Sequence, residues 1–239
     1  MLNTDHSFAY NSLPCFLDKS QEILRKLKSM TPDELQELWK CNDEIAKLNV
    51  QRLSRMELDK ELCAAILSYD GIQYQNMRPA DFNAEELCYI QRHLRIISGF
   101  YGVLKPLDGI RPYRLEMQAK LSLNGFKDLY AYWGDSIASE LTSDNDCIIN
   151  LASKEYSKCV SKYLKPDTSF VTCVFGEEKD GKIAEKGTMC KIARGEMVRW
   201  MAENKIEDIS QLVHFDGKYH RFSPEYSNEN TFVYVKKQA

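Results

Sequence analysis

The sequence predicts an α+β fold, built as a single domain over residues 1–239. Helical periodicity with two capping signals dominates the first third of the chain. Strand-like runs with two hairpin signals follow in the C-terminal half and predict a mixed sheet there. The sequence contains no βαβ alternation and no linker rich in glycine, proline or serine. Helices followed by mixed strands, without an internal boundary, favour one α+β domain.

The first third of the chain is predicted to be helical. Leu24 and Leu27 lie on one apolar face, and residues 31–34 (TPDE) then supply an N-cap threonine, a proline and a glutamate at capping-box spacing. A new helix is therefore expected to begin at Pro32. Its apolar stripe is predicted to continue at helical spacing through Leu35, Leu38, Trp39, Ile45 and Leu48.

A second capping signal predicts a helix that begins after Asn83. Glu86 follows this residue at capping-box spacing, and apolar residues recur at helical spacing from Leu87 to Ile97. Gly99 stands where a C-cap glycine belongs. We therefore expect one helix that ends at this glycine.

The turn after this helix carries Ser98, Gly99 and Gly102. Two glycines three residues apart resemble the hairpin of a helix-hairpin-helix element, here near 85–110, in which exposed backbone N–H groups receive a DNA phosphate. Pro106 restricts a second helix to a short piece or to a later start. The alternative is a C-cap followed by a tight packing turn.

Strands are predicted in the second half of the chain. CIINLA (147–152) is typical of a short buried strand, and TFVYVKK (231–237) is typical of a final one. Segments 169–186 and 213–222 each predict a hairpin, because an Asp-Gly pair lies at the centre of each. An amphipathic helix is expected between these hairpins, over about 192–201.

The composition excludes several classes of protein. The chain has 239 residues, of which 44% are hydrophobic and 28% are charged, which is enough to bury a core. It contains no run of about 18 apolar residues, and its start, MLNTDHSFAY, lacks a basic segment followed by an apolar block. We therefore expect neither a membrane span nor a secretory signal, and we expect a cytoplasmic protein.

Cysteine and histidine spacing predicts no metal site. The eight cysteines occur singly, without a C-x-x-C pair, so we expect them to be reduced and mostly buried. The four histidines form no H-x-x-x-H pattern, and no Walker loop or G-x-S-x-G motif occurs. We expect no metal, no cofactor and a binding role rather than catalysis, although these patterns leave an enzyme open.

Positive charge is concentrated in the middle of the sequence. The net charge is −3, yet residues 91–165 carry 11 lysines and arginines against 8 acidic residues. The candidate members of a phosphate-binding patch here are Arg92, Arg95, Lys105, Arg111 and Arg114. The alternatives are a solvated basic face, or internal pairing of an arginine with Glu116 or Asp108.

Two further segments carry polar residues in positions typical of ligand sites. Asn150 and Ser153 follow a predicted buried strand, where the backbone leaves the core. Ser153 is also a predicted N-cap, and the two roles are compatible because helix N-termini attract anions. Lys191 and Arg194 share a helical face beside Gly195. A glycine inside a helix costs about 1 kcal/mol relative to alanine, so close packing is expected there.

Several long motifs resemble a known family. The motifs are RIISGFYGVLKPLDGIRPYRLEM (95–117), LYAYWGD (129–135), INLASKEY (149–156) and KIARGEMVRWM (191–201). In this order they closely resemble the YaaA family of peroxide-stress proteins. The resemblance implies protection against hydrogen peroxide through lowering of free intracellular iron. It also implies DNA binding through a helix-hairpin-helix element and a positively charged cleft.

The resemblance also implies a set of site residues. The hairpin contributes Ser98, Gly99 and Gly102, and the cations that line the cleft are Arg95, Lys105, Arg111, Arg114, Lys154, Lys191 and Arg194. The uncharged and acidic residues assigned to the same cleft are Tyr113, Glu116, Asn150 and Ser153. The predicted partner is DNA, duplex or structured, without strong sequence preference. The alternative is an enzyme that acts on a phosphorylated or nucleotide-like small molecule, so a small anionic ligand is the second expected partner.

The N-terminus departs from the family pattern. Family members open with a short strand that carries a pattern like I-S-P-A-K, whereas this chain begins MLNTDHSFAY. Either the start of this sequence is misplaced or the family's first strand is missing, and a missing strand would leave a sheet edge exposed.

Overall fold

The structure, a computed structural model, describes Met1 and residues 9–237. The chain divides into two compact units. Unit 1 comprises Met1–Tyr69, Leu94–Ser143 and Ala152–Leu164, and unit 2 comprises Asp70–His93, Asp144–Leu151 and Lys165–Ala239. Each unit combines helices with strands, so the predicted α+β class is confirmed. That the whole chain forms one domain stays a prediction.

The elements alternate along the chain between the two units. The helices are α1 (Leu17–Lys28), α2 (Pro32–Trp39), α3 (Asp43–Ser54), α4 (Ala65–Ser68), α5 (Ile72–Met77), α6 (Ala84–His93), α7 (Leu129–Trp133), α8 (Ser136–Leu141), α9 (Lys154–Ser161) and α10 (Gly187–Asn204). The strands are β1 (Cys63–Ala64), β2 (Ile96–Ser98), β3 (Gly102–Leu104), β4 (Gly109–Ile110), β5 (Cys147–Asn150), β6 (Ser169–Lys179), β7 (Lys182–Ala184), β8 (His220–Phe222) and β9 (Thr231–Lys236). Short 3-10 helices occupy Pro79–Asp81, Ile209–His214 and Pro224–Tyr226.

The predicted start of α2 is confirmed by its capping box. The Thr31 hydroxyl accepts the Glu34 N–H at 3.3 Å, and the Glu34 carboxylate accepts the Thr31 N–H at 2.7 Å. The predicted continuous stripe is wrong, because Lys40 adopts a left-handed conformation with φ 45° and ends the helix. Because α3 is a separate helix, its buried face does not continue that of α2, and Ile45 and Leu48 are 38% and 47% exposed.

The segment after Asn83 begins as predicted and then departs from the prediction. The Asn83 side chain accepts the N–H groups of Glu85 and Glu86, both at 3.0 Å, and α6 begins there. The helix ends at His93 rather than at Gly99, because residues 96–98 instead pair with residues 102–104 as β2 and β3. A strand therefore occupies the place of the second helix, and the predicted helix-hairpin-helix element is wrong in that half.

Unit 1 contains two short antiparallel strand pairs among its helices. β1 pairs with β4, with Cys63 opposite Ile110, and β2 pairs with β3, with Ser98 opposite Gly102. The aromatic ring of Trp133 lies 5.7 Å from that of Phe16, and a side chain on Gly102 would collide with both rings. The turn between β2 and β3 therefore sits inside the packed part of unit 1.

Unit 2 is built on a mixed sheet in the order β5-β6-β9-β8, with β7 paired to β6. β6 runs parallel to β5 and β9, whereas β8 is antiparallel to β9. The predicted hairpin at Asp180 and Gly181 is confirmed, with Lys179 opposite Lys182. The other predicted hairpin is wrong in its first arm, because Ile209–His214 forms a 3-10 helix. The final strand, β9, is confirmed.

The core of unit 2 lies between this sheet and α10. Phe175 of β6 stacks on Tyr234 of β9 at 5.0 Å, and Ala193 and Met197 of α10 belong to the same buried cluster. Gly195 lets α10 approach α5 closely, because a Cβ atom there would lie 2.1 Å from the backbone oxygen of Gln73. The close packing expected at this glycine is therefore confirmed.

The remaining sequence predictions concern membranes, cysteines and the N-terminus. Within Met1 and residues 9–237, no helix is long and apolar enough to cross a membrane. All eight cysteines lie in this part and form no disulfide there, but only half of them, Cys63, Cys159, Cys173 and Cys190, are buried. The expected loss of the family's first strand concerns residues that fall mostly at 2–8, outside the described residues.

Candidate functional site

Residues 111–118 (RPYRLEMQ) form the centre of the candidate site in unit 1. The segment contains no helix or strand, so hydrogen bonds from other parts of the unit fix its path. The Arg111 N–H donates to the Tyr101 hydroxyl at 3.1 Å, and the Gln118 N–H donates to the Glu155 carboxylate at 3.2 Å. Both ends of the segment are therefore anchored.

A serine and two tyrosines form a hydrogen-bonded chain at the middle of this segment. The Ser98 Oγ accepts the backbone N–H groups of Phe100 and Tyr101 at 3.1 and 2.8 Å. A hydroxyl has one proton and two acceptor positions, so Ser98 must donate its proton to the Tyr113 Oη, 2.6 Å away. The Tyr113 Oη lies 2.7 Å from the Tyr69 Oη. Ser98 therefore sets the orientation of the Tyr113 hydroxyl.

Gly99 permits the close approach between this turn and residues 111–118. A Cβ atom at Gly99 would lie 2.8 Å from the Leu115 carbonyl oxygen and 3.0 Å from the Glu116 carbonyl carbon. The Gly99 carbonyl in turn accepts the Trp133 Nε1–H at 3.0 Å. A larger residue at position 99 would displace the segment that carries Tyr113.

The turn itself does not offer the phosphate contact expected of Ser98, Gly99 and Gly102. All three residues are buried, and the amides of Phe100 and Tyr101 already have Ser98 as their acceptor. Backbone N–H groups bind an anion only where they remain exposed. The turn therefore positions Tyr113 and residues 111–118. The predicted phosphate contact at this turn is wrong, and the alternative of a tight packing turn describes it.

The two arginines of the segment each lie near a carboxylate. The Arg111 Nη1 is 2.5 Å from the Glu61 Oε2, and the Arg114 Nη2 is 3.6 Å from the Glu116 Oε1. Arg114 also donates to the Trp39 carbonyl at 3.2 Å. Internal pairing with Glu116, the alternative considered for this arginine, is thus what the structure shows.

The other predicted cations of unit 1 differ in their exposure. Lys105 is exposed and makes no ion pair with any described residue, while its N–H donates to the Asp108 carboxylate at 2.8 Å. Arg95 is partly buried and donates to the Leu94 carbonyl at 2.8 Å. Lys154 is exposed at the first position of α9. The lysines, rather than the arginines, therefore present the more accessible charge.

The N-terminus of α9 adds Glu155 and Tyr156 to the candidate site, and neither is among the predicted site residues. Ser153 occupies the N-cap position as predicted, although its side chain makes no capping hydrogen bond. Burial raises the pKa of the Glu155 carboxyl, and burial together with the nearby Tyr113 raises the pKa of Tyr156. Burial also raises the pKa of Tyr113 well above its ordinary value. Both missed residues lie in the INLASKEY motif, but only folding buries them.

Unit 2 holds the predicted residues of the later motifs. Asn150 lies at the end of β5, as predicted, is 8% exposed and donates to the Thr172 hydroxyl at 3.3 Å. Lys191 is exposed on α10 and makes no ion pair with the residues that the structure describes. Arg194 lies three residues further along, with a side chain that is 12% exposed.

Two arginines of α10 show how differently a guanidinium can be used. Arg199 donates to the Glu203 carboxylate at 2.7 Å and to the carbonyls of Arg78 and Asp81 at 3.3 and 3.4 Å. Among the described residues, the Arg194 side chain contacts one carboxylate, that of Glu185 at 3.4 Å, and its buried Nε has no hydrogen-bond partner. Arg199 is therefore structural, whereas Arg194 keeps an unused donor.

The predicted site residues thus fall into two groups. Unit 1 brings Ser98, Gly99, Tyr113 and Glu116 together around residues 111–118, and unit 2 carries Asn150, Lys191 and Arg194. That the cations of both units line one cleft stays a prediction.

Comparison with known proteins bears on these motifs as a whole. The sequence profile described as peroxide stress protein YaaA matches residues 2–226. A UPF0246 protein of Lachnoclostridium phytofermentans is 50% identical over 226 residues, which cover 95% of this chain and 89% of the relative. UPF0246 proteins of Desulfitobacterium hafniense and Ligilactobacillus salivarius are 49% and 48% identical, and the matches cover 100% and 99% of this chain and 95% and 96% of the relatives. The resemblance read from the motifs is confirmed, and the chain belongs to the peroxide stress protein YaaA family.

Proposed function

We propose that this protein acts in the cytoplasmic response to peroxide by binding the phosphate groups of DNA, duplex or structured, without strong sequence preference. Family membership supports the link to peroxide stress. Bound DNA would be shielded from damage linked to free iron. The effect on iron is indirect in this proposal, because the residues concerned are cations that attract phosphate rather than metal ions.

The observation that carries the proposal is the unused donor of Arg194. A buried N–H without an acceptor costs about 1–3 kcal/mol, so such a donor is expected to have a partner in the functional state. A guanidinium is suited to phosphate oxygens because its N–H groups match them in pairs. Lys191 lies three residues away on the same helix and is exposed, which places a second cation on a neighbouring position.

Unit 1 contributes accessible cations in the same proposal. Lys105 and Lys154 are exposed, and Arg114 keeps 34% of its side chain exposed. These side chains replace the hairpin amides as the groups that contact phosphate, because the hairpin is buried. Arg111 is left out of this set because its side chain is only 16% exposed and its Nη1 bonds to Glu61, so the backbone of a duplex has little access to it.

Binding to DNA is tested by fluorescence anisotropy with a labelled duplex of about 20 base pairs between about 50 and 200 mM salt. The double variant Lys191→Ala, Arg194→Ala should bind at least about 10-fold more weakly and lower the slope of log affinity against log salt by about 2, since two phosphate contacts are lost. Lys47→Ala removes an exposed lysine of α3 and is the matched control, with no change in affinity expected.

A salt-insensitive affinity would contradict the proposal. Equal binding by the double variant and the Lys47→Ala control would contradict it as well. Thermal unfolding of both variants shows whether either change has affected the fold rather than the contact with phosphate.

A second candidate function is an enzyme that acts on a phosphorylated or nucleotide-like small molecule. It is favoured by the partly buried Glu155, because burial raises the pKa of this carboxyl towards the range suited to acid–base catalysis, and by the neighbouring Tyr156, whose raised pKa keeps its hydroxyl protonated as a donor. Trp39, whose carbonyl accepts from Arg114, also has a buried Nε1 without a partner among the described residues. Conversion of a nucleoside phosphate, lost in Tyr156→Phe, together with no binding of the duplex, would establish this candidate instead.

A further inference from the structure

A basic pocket lies at the end of α3 in unit 1. Its volume is about 430 Å³, within the range of about 300–1,000 Å³ typical of small-molecule sites. The charged residues that line it are Arg52, Arg55, Lys60, Arg111, Glu57 and Glu61. Four positive and two negative side chains leave a net charge of +2 (4 − 2) around the pocket.

The two carboxylates of this pocket are already engaged. Glu57 lies 2.6 Å from the Lys60 Nζ, and Glu61 lies 2.5 Å from the Arg111 Nη1. Arg52 and Arg55 have no carboxylate within 4.0 Å among the described residues. The excess positive charge of the pocket therefore resides mainly on these two arginines.

Arg52 and Arg111 are the more buried arginines of the pocket lining, and both keep unused donors. Arg52 bonds through its Nη2 to the neutral Met1 carbonyl at 3.2 Å, and its Nε and Nη1 have no partner among the described residues. Arg111 is 16% exposed and uses only its Nη1, in both cases for Glu61. Two guanidinium groups with free N–H pairs can chelate an oxyanion from two sides.

The two guanidinium groups also repel each other. Burial, and then the charge of Arg111, lower the pKa of Arg52. The C-terminal end of α3 cannot attract an anion, because the helix dipole is negative there. Attraction at this pocket comes from the side chains, and a bound dianion would relieve the repulsion between them.

We propose that this pocket binds a phosphate dianion, either free or as the terminal group of a small phosphorylated molecule, between Arg52 and Arg111. The two negative charges of the dianion balance the net charge of the pocket lining. The volume of the pocket also leaves room for the remainder of a nucleotide-sized molecule. The pocket shares no residue with the proposed DNA contacts, because its lining includes none of Lys105, Arg114, Lys154, Lys191 and Arg194.

Calorimetric titration of the full-length protein at low salt tests the site with inorganic phosphate and with adenosine 5′-monophosphate as two separate probes. We expect saturable binding of at least one probe, and at least a 10-fold loss of affinity in Arg52→Gln. Tighter binding of the nucleotide assigns the site to a phosphorylated molecule, and equal binding assigns it to phosphate itself. Lys47→Gln, on the exposed face of the same helix, should bind like the unchanged protein.

Two further variants separate binding from folding. Arg52→Lys keeps the charge but loses the paired N–H groups, so it should also bind more weakly. Without ligand, Arg52→Gln should melt no lower than the unchanged protein, because the repulsion with Arg111 is removed. Phosphate should raise the melting temperature of the unchanged protein but not that of this variant.

The proposal is overturned if neither probe binds at millimolar concentration. It is overturned equally if Arg52→Gln and Arg52→Lys bind like Lys47→Gln. DNA binding should be unchanged in Arg52→Gln. The phosphate site and the proposed DNA function can therefore be refuted independently of each other.

Discussion

At the scale of single residues, Ser98 holds the turn after β2 and the Tyr113 hydroxyl of the candidate site in place. Its hydroxyl satisfies two backbone amides and one tyrosine at once. Ser98→Ala should lower the free energy of unfolding by about 2 kcal/mol or more, since it leaves several buried polar groups without a partner. Denaturant unfolding measures this loss.

The Ser98→Ala prediction has two comparisons. Ser161→Ala, at an exposed position of α9, should stay within about 0.5 kcal/mol of the unchanged protein. Tyr113→Phe should cost less than Ser98→Ala, because it removes one hydrogen bond each from the Ser98 and Tyr69 hydroxyls but leaves the two buried amides with their acceptor. The reverse order for Tyr113→Phe and Ser98→Ala would show that the amides find other acceptors.

His220 makes stability depend on pH. It is 1% exposed, and its Nδ1 has no partner among the described residues. Burial lowers its pKa below the ordinary 6.5, the charge of Lys236 lowers it further, and Glu177 opposes the shift. Between the folded and unfolded values only the unfolded chain takes up the proton. We therefore expect stability that is present above about pH 6.5 to be lost as the pH falls, by up to about 1.4 kcal/mol per pH unit.

The measurement for His220 is denaturant unfolding at several pH values between about 7.5 and 5. His220→Gln carries no titrating ring, so its stability should fall less steeply with acidification. Parallel curves for the two proteins would mean that the histidine is protonated equally in the folded and unfolded states.

At the scale of elements, the crossing of α10 and α5 depends on one glycine. The Cβ atom of an alanine at position 195 would collide with backbone atoms of α5, which cannot rotate away. Gly195→Ala should therefore cost about 3 kcal/mol or more in unfolding free energy. Gly187→Ala, at the first position of the same helix, meets nothing within 4 Å and should be neutral or slightly stabilising. Chemical denaturation compares the two, and equal stability would refute the close crossing.

Local signals predicted the elements where the partner residues are near in sequence. The capping boxes at Thr31 and Asn83 and the hairpin at Gly181 are of this kind. The run to Ile97 looked helical because its apolar spacing fits a helix, yet its backbone pairs with β3. Strand pairing and burial across the unit overrode the local pattern there.

At the scale of the whole molecule, the charge pattern predicted where cations occur but not how they are paired. Glu61 is 50 positions from Arg111, so no local spacing indicates their ion pair. The burial of Glu155 and Tyr156, and the pocket around Arg52, likewise arise only on folding. The motifs identified the family because they preserve residues in order, whereas electrostatic partners depend on the fold.

The path of the chain between the two units has a consequence for synthesis on the ribosome. Asp70–His93 emerges before much of unit 1 has been made, although it belongs to unit 2. α5 cannot pack against α10 until that helix, more than 100 positions later, has been synthesised. β6 likewise cannot pair with β9 until the end of the chain has been made. Because these contacts are so distant in sequence, α5 and α6 are synthesised long before the elements they pack against. A chain truncated before β9 would lack the strand that lies between β6 and β8 in the sheet of unit 2.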